Sequence, residues 1–186
     1  MNVKEAIEKR RAYRSLEPIQ ISEDIITSFK ELVQLAPSCM NNQPWKFVFI
    51  QDKSILNQIF TTLSPGNKWV ENASLMIGVL SKPEDDCIIG KRYYYLFDTG
   101  IATAYIILRA TELGLVAHPI AGFNEEKAKN ILKAPKDMRL ITLINIGKKS
   151  ININPILSES MKMGENKRPP RKSLDEISFR NQYGKN

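Results

Sequence analysis

A sheet covered by helices on both faces is the architecture this chain of 186 residues points to. Three observations carry it. Segments with helical spacing of apolar residues alternate with short β-branched runs along the chain. Three of those runs, residues 47–50, 75–80 and 140–146, read as strands, the first two as buried ones. Hydrophobic content of 42% and charged content of 25% are those of a globular chain, long enough for one domain with a real core.

The elements follow in order. A first helix spans about Val3 to Arg11, with Ala6 and Ile7 expected to face the core. Residues 17–21, Glu-Pro-Ile-Gln-Ile, form a connector held extended by its proline. Ser22 caps the next helix, with Glu23 and Asp24 in its positive first turn and Ile21 and Ile26 at staple spacing. Ile25, Ile26, Phe29, Leu32, Val33 and Ala36 mark its core face. The stretch Ala36 to Trp45, Ala-Pro-Ser-Cys-Met-Asn-Asn-Gln-Pro-Trp, is bounded by two prolines that keep helix and central strand out of it. Its small and amide side chains can hydrogen-bond a ligand without blocking it, and they can equally satisfy a structural turn. Trp45 reads as a core aromatic. A short helix over 52–60, a turn at Ser64-Pro65-Gly66-Asn67 and a strand over 75–80 come next. Residues 81–90 read as a polar surface loop. From about Arg92 to Leu113 runs the longest helix, apolar nearly all round and so expected to be buried on most sides, with Gly114 as its stop. A short apolar run then reaches Gly122, where a bare backbone would let a planar ligand come close. Asn124 with Glu125 and Glu126 caps a helix through Leu132, and the last strand ends at Gly147.

Charge narrows the chemistry without choosing it. Net charge is +7, and from Lys162 to Asn186 seven Lys or Arg stand against three acids. This suits an anionic ligand, a nucleic acid or a membrane surface. Arg10, Arg11 and Arg14, with Lys9, crowd four cations into six residues, which solvent or a bound anion could relieve. One histidine and two cysteines, Cys39 and Cys87, make no zinc-spaced set. Neither a nucleophile elbow nor a Gly-x-Gly-x-x-Gly or phosphate-loop pattern is present. No leader pattern or membrane-length apolar run is seen, so the cytoplasm is expected, with both thiols free.

Five patterns in series resemble the nitroreductase family of FMN-dependent oxidoreductases. They are Arg10-Arg11-Ala12-Tyr13-Arg14, the Ala-Pro-Ser-x-x-Asn-x-Gln-Pro-Trp loop at 36–45, Asp98-x-Gly100-x-Ala102 through Gly114-Leu115, Pro119-Ile120-Ala121-Gly122-Phe123, and the basic segment around Arg171-Lys172-Ser173-Leu174. The resemblance implies an α+β fold with a central, mostly antiparallel mixed sheet flanked by helices. Residues 1–186 would form a single FMN-binding domain, 1–147 as its core and 148–186 as a C-terminal arm reaching the partner subunit. Arg10 and Arg171 would hold the FMN phosphate, with Arg168 the competitor of Arg171. Arg11 and the backbone of Ala12 would lie beside it, although Ala12 replaces the family's usual Ser. Arg14 would face the pyrimidine end of the ring near N1 and O2. Asn67 is the candidate contact to that end from the turn before the 75–80 strand. Backbone N–H groups of Ala121 and Gly122 would approach N5 and O4. Pro37, Ser38 and Asn41 would come from the other subunit, with Cys39 among them as a bystander thiol.

The same resemblance implies a homodimer with FMN at its interface and the long helix at the contact. It implies hydride transfer from NADH or NADPH through flavin N5 to a small nitroaromatic or quinone-like acceptor, by ping-pong, with neither nucleic acid nor membrane as a partner. No side-chain catalyst is called for, and His118 reads as structural. Related flavin reactions (dehalogenation, ring dehydrogenation, flavin fragmentation) are rivals. So are an FMN sensor without turnover and a basic nucleic-acid-binding domain that uses the tail.

Overall fold

The computed structural model describes residues 1–185. Its centre is β7 (Arg139–Lys149), which pairs with β3 (Leu75–Ser81), β6 (Val116–Ile120) and β1 (Leu16–Glu17), while β3 also pairs with β2 (Lys46–Ile50). Every pairing of this sheet is antiparallel among the described residues.

Both faces of the sheet are covered, and strand alternation explains how. On β3, Leu75, Ile77 and Val79 turn to a cluster with Phe29, Val33, Ala102 and Ile106. Met76 and Leu80 turn the other way, towards Leu56, Ile59, Trp69 and Ala128. The first face is therefore covered by α2 (Glu23–Gln34) and α4 (Tyr95–Glu112), the second by α3 (Lys53–Phe60) and α5 (Glu125–Ile131). All seven residues of β3 are buried, which is why that stretch is an unbroken apolar run. On β7, Leu140 and Leu143 share a cluster although they differ in parity. The register against β3 shifts between Val79 and Leu80, so β7 carries one extra residue there and its side-chain phase flips.

Local chemistry sets the helix ends as the sequence leads one to expect. Ser22 Oγ accepts from Ile25 N–H, Asp52 Oδ1 from Ile55 N–H and Asn124 Oδ1 from Lys127 N–H. Gly114, at φ +74°, follows the C-cap Leu113 of the long helix in the left-handed conformation that ends a helix. Trp45 is buried in the core.

Several expectations are corrected. The first helix, α1 (Val3–Lys9), stops short of Arg11, and Ile7 is 55% exposed because Ala6 alone of its residues is buried. The last strand passes Gly147 to Lys149, since Leu16 and Glu17 offer a partner there. Residues 81–90 are not a plain surface loop. They hold a 3-10 turn at Pro83–Asp85 and the strand β4 (Ile88–Ile89), which pairs with β5 (Arg92–Tyr93). The long helix accordingly starts at Tyr95, and Leu96 and Phe97 on it stay 49% and 65% exposed, so one chain does not bury it on most sides. Finally, Cys39 and Cys87 are not free thiols: they form a disulfide across 48 residues.

The tail is partly docked. Helix α6 (Glu159–Asn166) packs on the chain's own residues 11–15. Beyond Pro169 the described chain, with α7 (Leu174–Ile177), is exposed apart from the half-buried Phe179, and Tyr183 is almost wholly so. Residue 186, the end of the expected arm, lies outside the described residues.

Candidate functional site

Two of the expected groups flank strands of the sheet, one leading into β1 and the other following β6. The first is cationic. Helix α1 ends at Arg10, and the chain then runs extended through Arg11 to Arg14 into β1. Helix α6 fixes this segment. Its buried Glu165 accepts the Arg14 N–H at 2.8 Å and the Ser15 N–H at 3.0 Å, and Arg11 donates to the Gly164 carbonyl. Arg168 donates to the carbonyls of Glu8 and Arg10, at the carbonyl-rich end of α1. Arg171 is exposed and close enough to Arg10 to repel it. Burial first, and then Arg168, Arg171 and Arg11, hold the Arg10 guanidinium below its ordinary pKa. Among the described residues none of these arginines, nor Arg14, has a carboxylate within ion-pair distance. Such a cluster fits a phosphate dianion, which takes guanidinium forks in bidentate fashion. Between the two candidates for the second phosphate arginine, Arg168 is already tied to the backbone while Arg171 is not.

The second group is the turn after β6. The carbonyl of Gly122 accepts from Ser64 N–H and from the Asn67 side-chain amide, each at 2.9 Å. A Cβ on Gly122 would lie 2.6 Å from that amide nitrogen and would push the Asn67 side chain out of its present bond. The N–H groups of Ala121 and Gly122 take no part in these bonds. Asn67, in the turn before β3, has its amide donor committed to the Gly122 carbonyl.

A stack joins the two groups. The Arg14 guanidinium lies 5.7 Å from the Trp69 ring, and Trp69 packs on His118 with ring centres 4.7 Å apart. His118 Nδ1 is 3.1 Å from the Tyr13 carbonyl, which can only accept, so Nδ1 carries the proton. Burial dominates and lowers the His118 pKa to about 4, leaving the ring neutral at pH 7. That suits a structural wedge and not a proton donor.

The third group, the loop of Pro37, Ser38, Cys39 and Asn41, is fixed elsewhere. The Cys39 N–H donates to the buried Asp98 carboxylate on α4 at 2.6 Å, and the disulfide ties the loop to Cys87. Burial and the facing Asp86 push Asp98 above its usual range, against the pull of that N–H. No hydrogen bond or ion pair among the described residues links the loop to the arginines or to the Gly122 turn. Sequence reasoning missed Glu165 and the holding role of Asp98. Their one signal was an acid placed against its surroundings, in a basic tail and in an apolar helix.

Comparison with known proteins places these features in a lineage. The family model described as "Nitroreductase family" matches residues 7–76 and 90–148. An Archaeoglobus fulgidus protein provisionally named NADH dehydrogenase/NAD(P)H nitroreductase is 29% identical over 144 residues, 74% of this chain and 80% of its own. The crystal structure of a nitroreductase family protein from Clostridium novyi NT superposes with a TM-score of 0.75 at 27% identity, covering 100% of this chain and 96% of that one. An Exiguobacterium sibiricum protein solved in complex with FMN superposes with a TM-score of 0.80 over 97% of this chain and 98% of its own, at 19% identity, and so shares the fold.

Proposed function

Because this chain belongs to the nitroreductase family, we propose that it is an FMN-dependent oxidoreductase working as a homodimer. It takes reducing equivalents from NADH or NADPH and passes them to a small nitroaromatic or quinone-like acceptor in alternating visits to one site. The observation that carries this reading is the arginine cluster around Arg10, which forms no ion pair with a carboxylate among the described residues.

When bound, FMN supplies the hydride chemistry, and the protein's part is binding, orientation and electrostatics. Arg10 and Arg171 hold the phosphate, with Arg11 and the Ala12 backbone beside it. Arg14, braced on Trp69, places a fixed cation where negative charge develops at the pyrimidine end of the ring. The unengaged N–H groups of Ala121 and Gly122 face the ring edge. Pro37, Ser38 and Asn41 complete the site from the other subunit, which accords with their separation from the arginines within one chain.

Apolar side chains left bare on and beside α4 support the dimer. Ile88, Ile89, Tyr93, Leu96 and Phe97 are each 46–65% exposed, on a stretch short enough to form one patch. The cytoplasm is the compartment proposed. No helix among the described residues is long and apolar enough to cross a membrane.

The test is an absorbance spectrum of the purified protein, before and after anaerobic addition of NADH and of NADPH. Flavin bands that bleach with either donor are expected, followed by turnover with a quinone. A colourless protein that cannot be reconstituted with FMN would overturn the proposal.

A further inference from the structure

The loop that carries Cys39 holds backbone that its side chains disfavour. Met40, Asn41 and Gln43 have φ of +51°, +59° and +48°, a region that residues with a Cβ avoid. Such a run persists only where the surroundings over-determine it. Two of the contacts that do so lie within the loop: the Gln43 N–H to Ser38 Oγ at 2.9 Å, and the Gln43 amide to Asn41 Oδ1 at 3.2 Å. Outside it, Asp98 holds the Cys39 N–H, Asp86 Oδ1 takes the Asn42 amide at 3.3 Å, and the disulfide ties Cys39 to Cys87. The disulfide is the one covalent tie, and the Asn42 bond depends on the segment that it anchors.

The chemistry around the sulfurs is specific. Asp86 is 8% exposed, and its Oδ2 is buried without a hydrogen-bond partner. Its carboxylate lies within 4.8 Å of both sulfurs. Neither cysteine is fully buried, so a small thiol can reach the bond. A cytoplasmic disulfide is conditional on the thiol pool, and those that exist there are mostly transient or redox-sensing.

We propose that Cys39–Cys87 is a second redox site of this protein, a dithiol–disulfide couple exchanged with low-molecular-weight thiols, whose oxidised form locks the 37–41 loop in its flavin-receiving conformation. This rests on the reading of that loop as part of the flavin site. In the reducing direction one external thiolate attacks a protein sulfur and forms a mixed disulfide, and a second displaces the protein sulfur from it. Two external thiols become one external disulfide, and their two electrons and two protons reside on Cys39 and Cys87. An external disulfide reverses the step. The buried Asp86 carboxyl, beside both sulfurs, narrows the approach of an external thiolate to them.

The test equilibrates the full-length protein in a series of reduced-to-oxidised glutathione ratios. Alkylation with intact mass counts the thiols, hydrogen exchange follows the peptide over 37–45, and FMN titration gives the affinity. Both cysteines should alkylate together. Reduction should speed exchange in the loop and weaken FMN binding about ten-fold, the loss expected if the receptive loop falls to about a tenth of the population. Cys87→Ser should match the reduced protein and ignore the ratio. Cysteines that alkylate at every ratio, or a loop and an affinity unmoved by reduction, would overturn the proposal. A loop that responds to thiol in a protein binding no FMN in either state would support the couple while refuting the flavin assignment of the loop.

Discussion

Arg10 concentrates the chemistry of the site at the scale of one residue. It ends α1, and burial first and then three neighbouring arginines lower its pKa. An anion converts that repulsion into attraction. Arg10→Ala should weaken FMN binding by about 1.5–3 kcal/mol, the worth of a charge-assisted hydrogen bond. Fluorescence titration measures it, and an unchanged dissociation constant would remove Arg10 from the phosphate site. His118 makes the opposite kind of prediction. Its pKa falls from 6.5 to about 4 on folding, chiefly through burial, so between these values the unfolded chain takes a proton that the folded one refuses. Stability should therefore fall as the pH drops from 6.5 towards 4, by about 3 kcal/mol, and then level off. Thermal melts across this window, repeated for His118→Gln, check the sign: the variant should lose this part of the slope.

The elements decide whether such residues meet. Helix α6 is short, polar and unremarkable in sequence, yet its Glu165 satisfies two backbone N–H groups of the arginine segment from inside the protein. Glu165→Ala leaves both without an acceptor and should cost about 2–4 kcal/mol of stability, with a loss of FMN affinity beyond that of a neutral surface change. Denaturant unfolding of the variant beside Glu165→Gln, which keeps one acceptor, separates the missing bond from the missing charge. A Glu165→Ala protein as stable as wild type would show α6 to be a loose appendage. The caps and the core face of α2 were legible in the sequence because capping and amphipathic spacing act over three or four residues. The docking of α6 was not, because it joins positions about 150 residues apart.

For the whole molecule the question is what covers the bare side of α4. A helix with Ala102, Ile106 and Ala110 packed on the sheet and Phe97 left in water is apolar in excess of what one chain needs. Phe97→Glu should shift the protein from dimer to monomer in light scattering and take flavin content down with it, since the loop of 37–41 is proposed to serve the other subunit's site. A charged variant that stays dimeric and yellow would place the interface elsewhere.

By itself the sequence determined the sheet with helices on both faces and the cap of α2, since these depend on periodicity and on neighbours near in the chain, and it carried the order of the five family-like patterns. It also located Arg10, Asn67 and Gly122 as candidates. Only the tertiary structure decided that Cys39 bonds to Cys87, that Ile7 faces solvent, that Asp98 holds the loop and that Glu165 braces the arginines. Each of these depends on which distant segments the packed sheet and its helices bring together, and the spacing of residues along the chain carries no record of that.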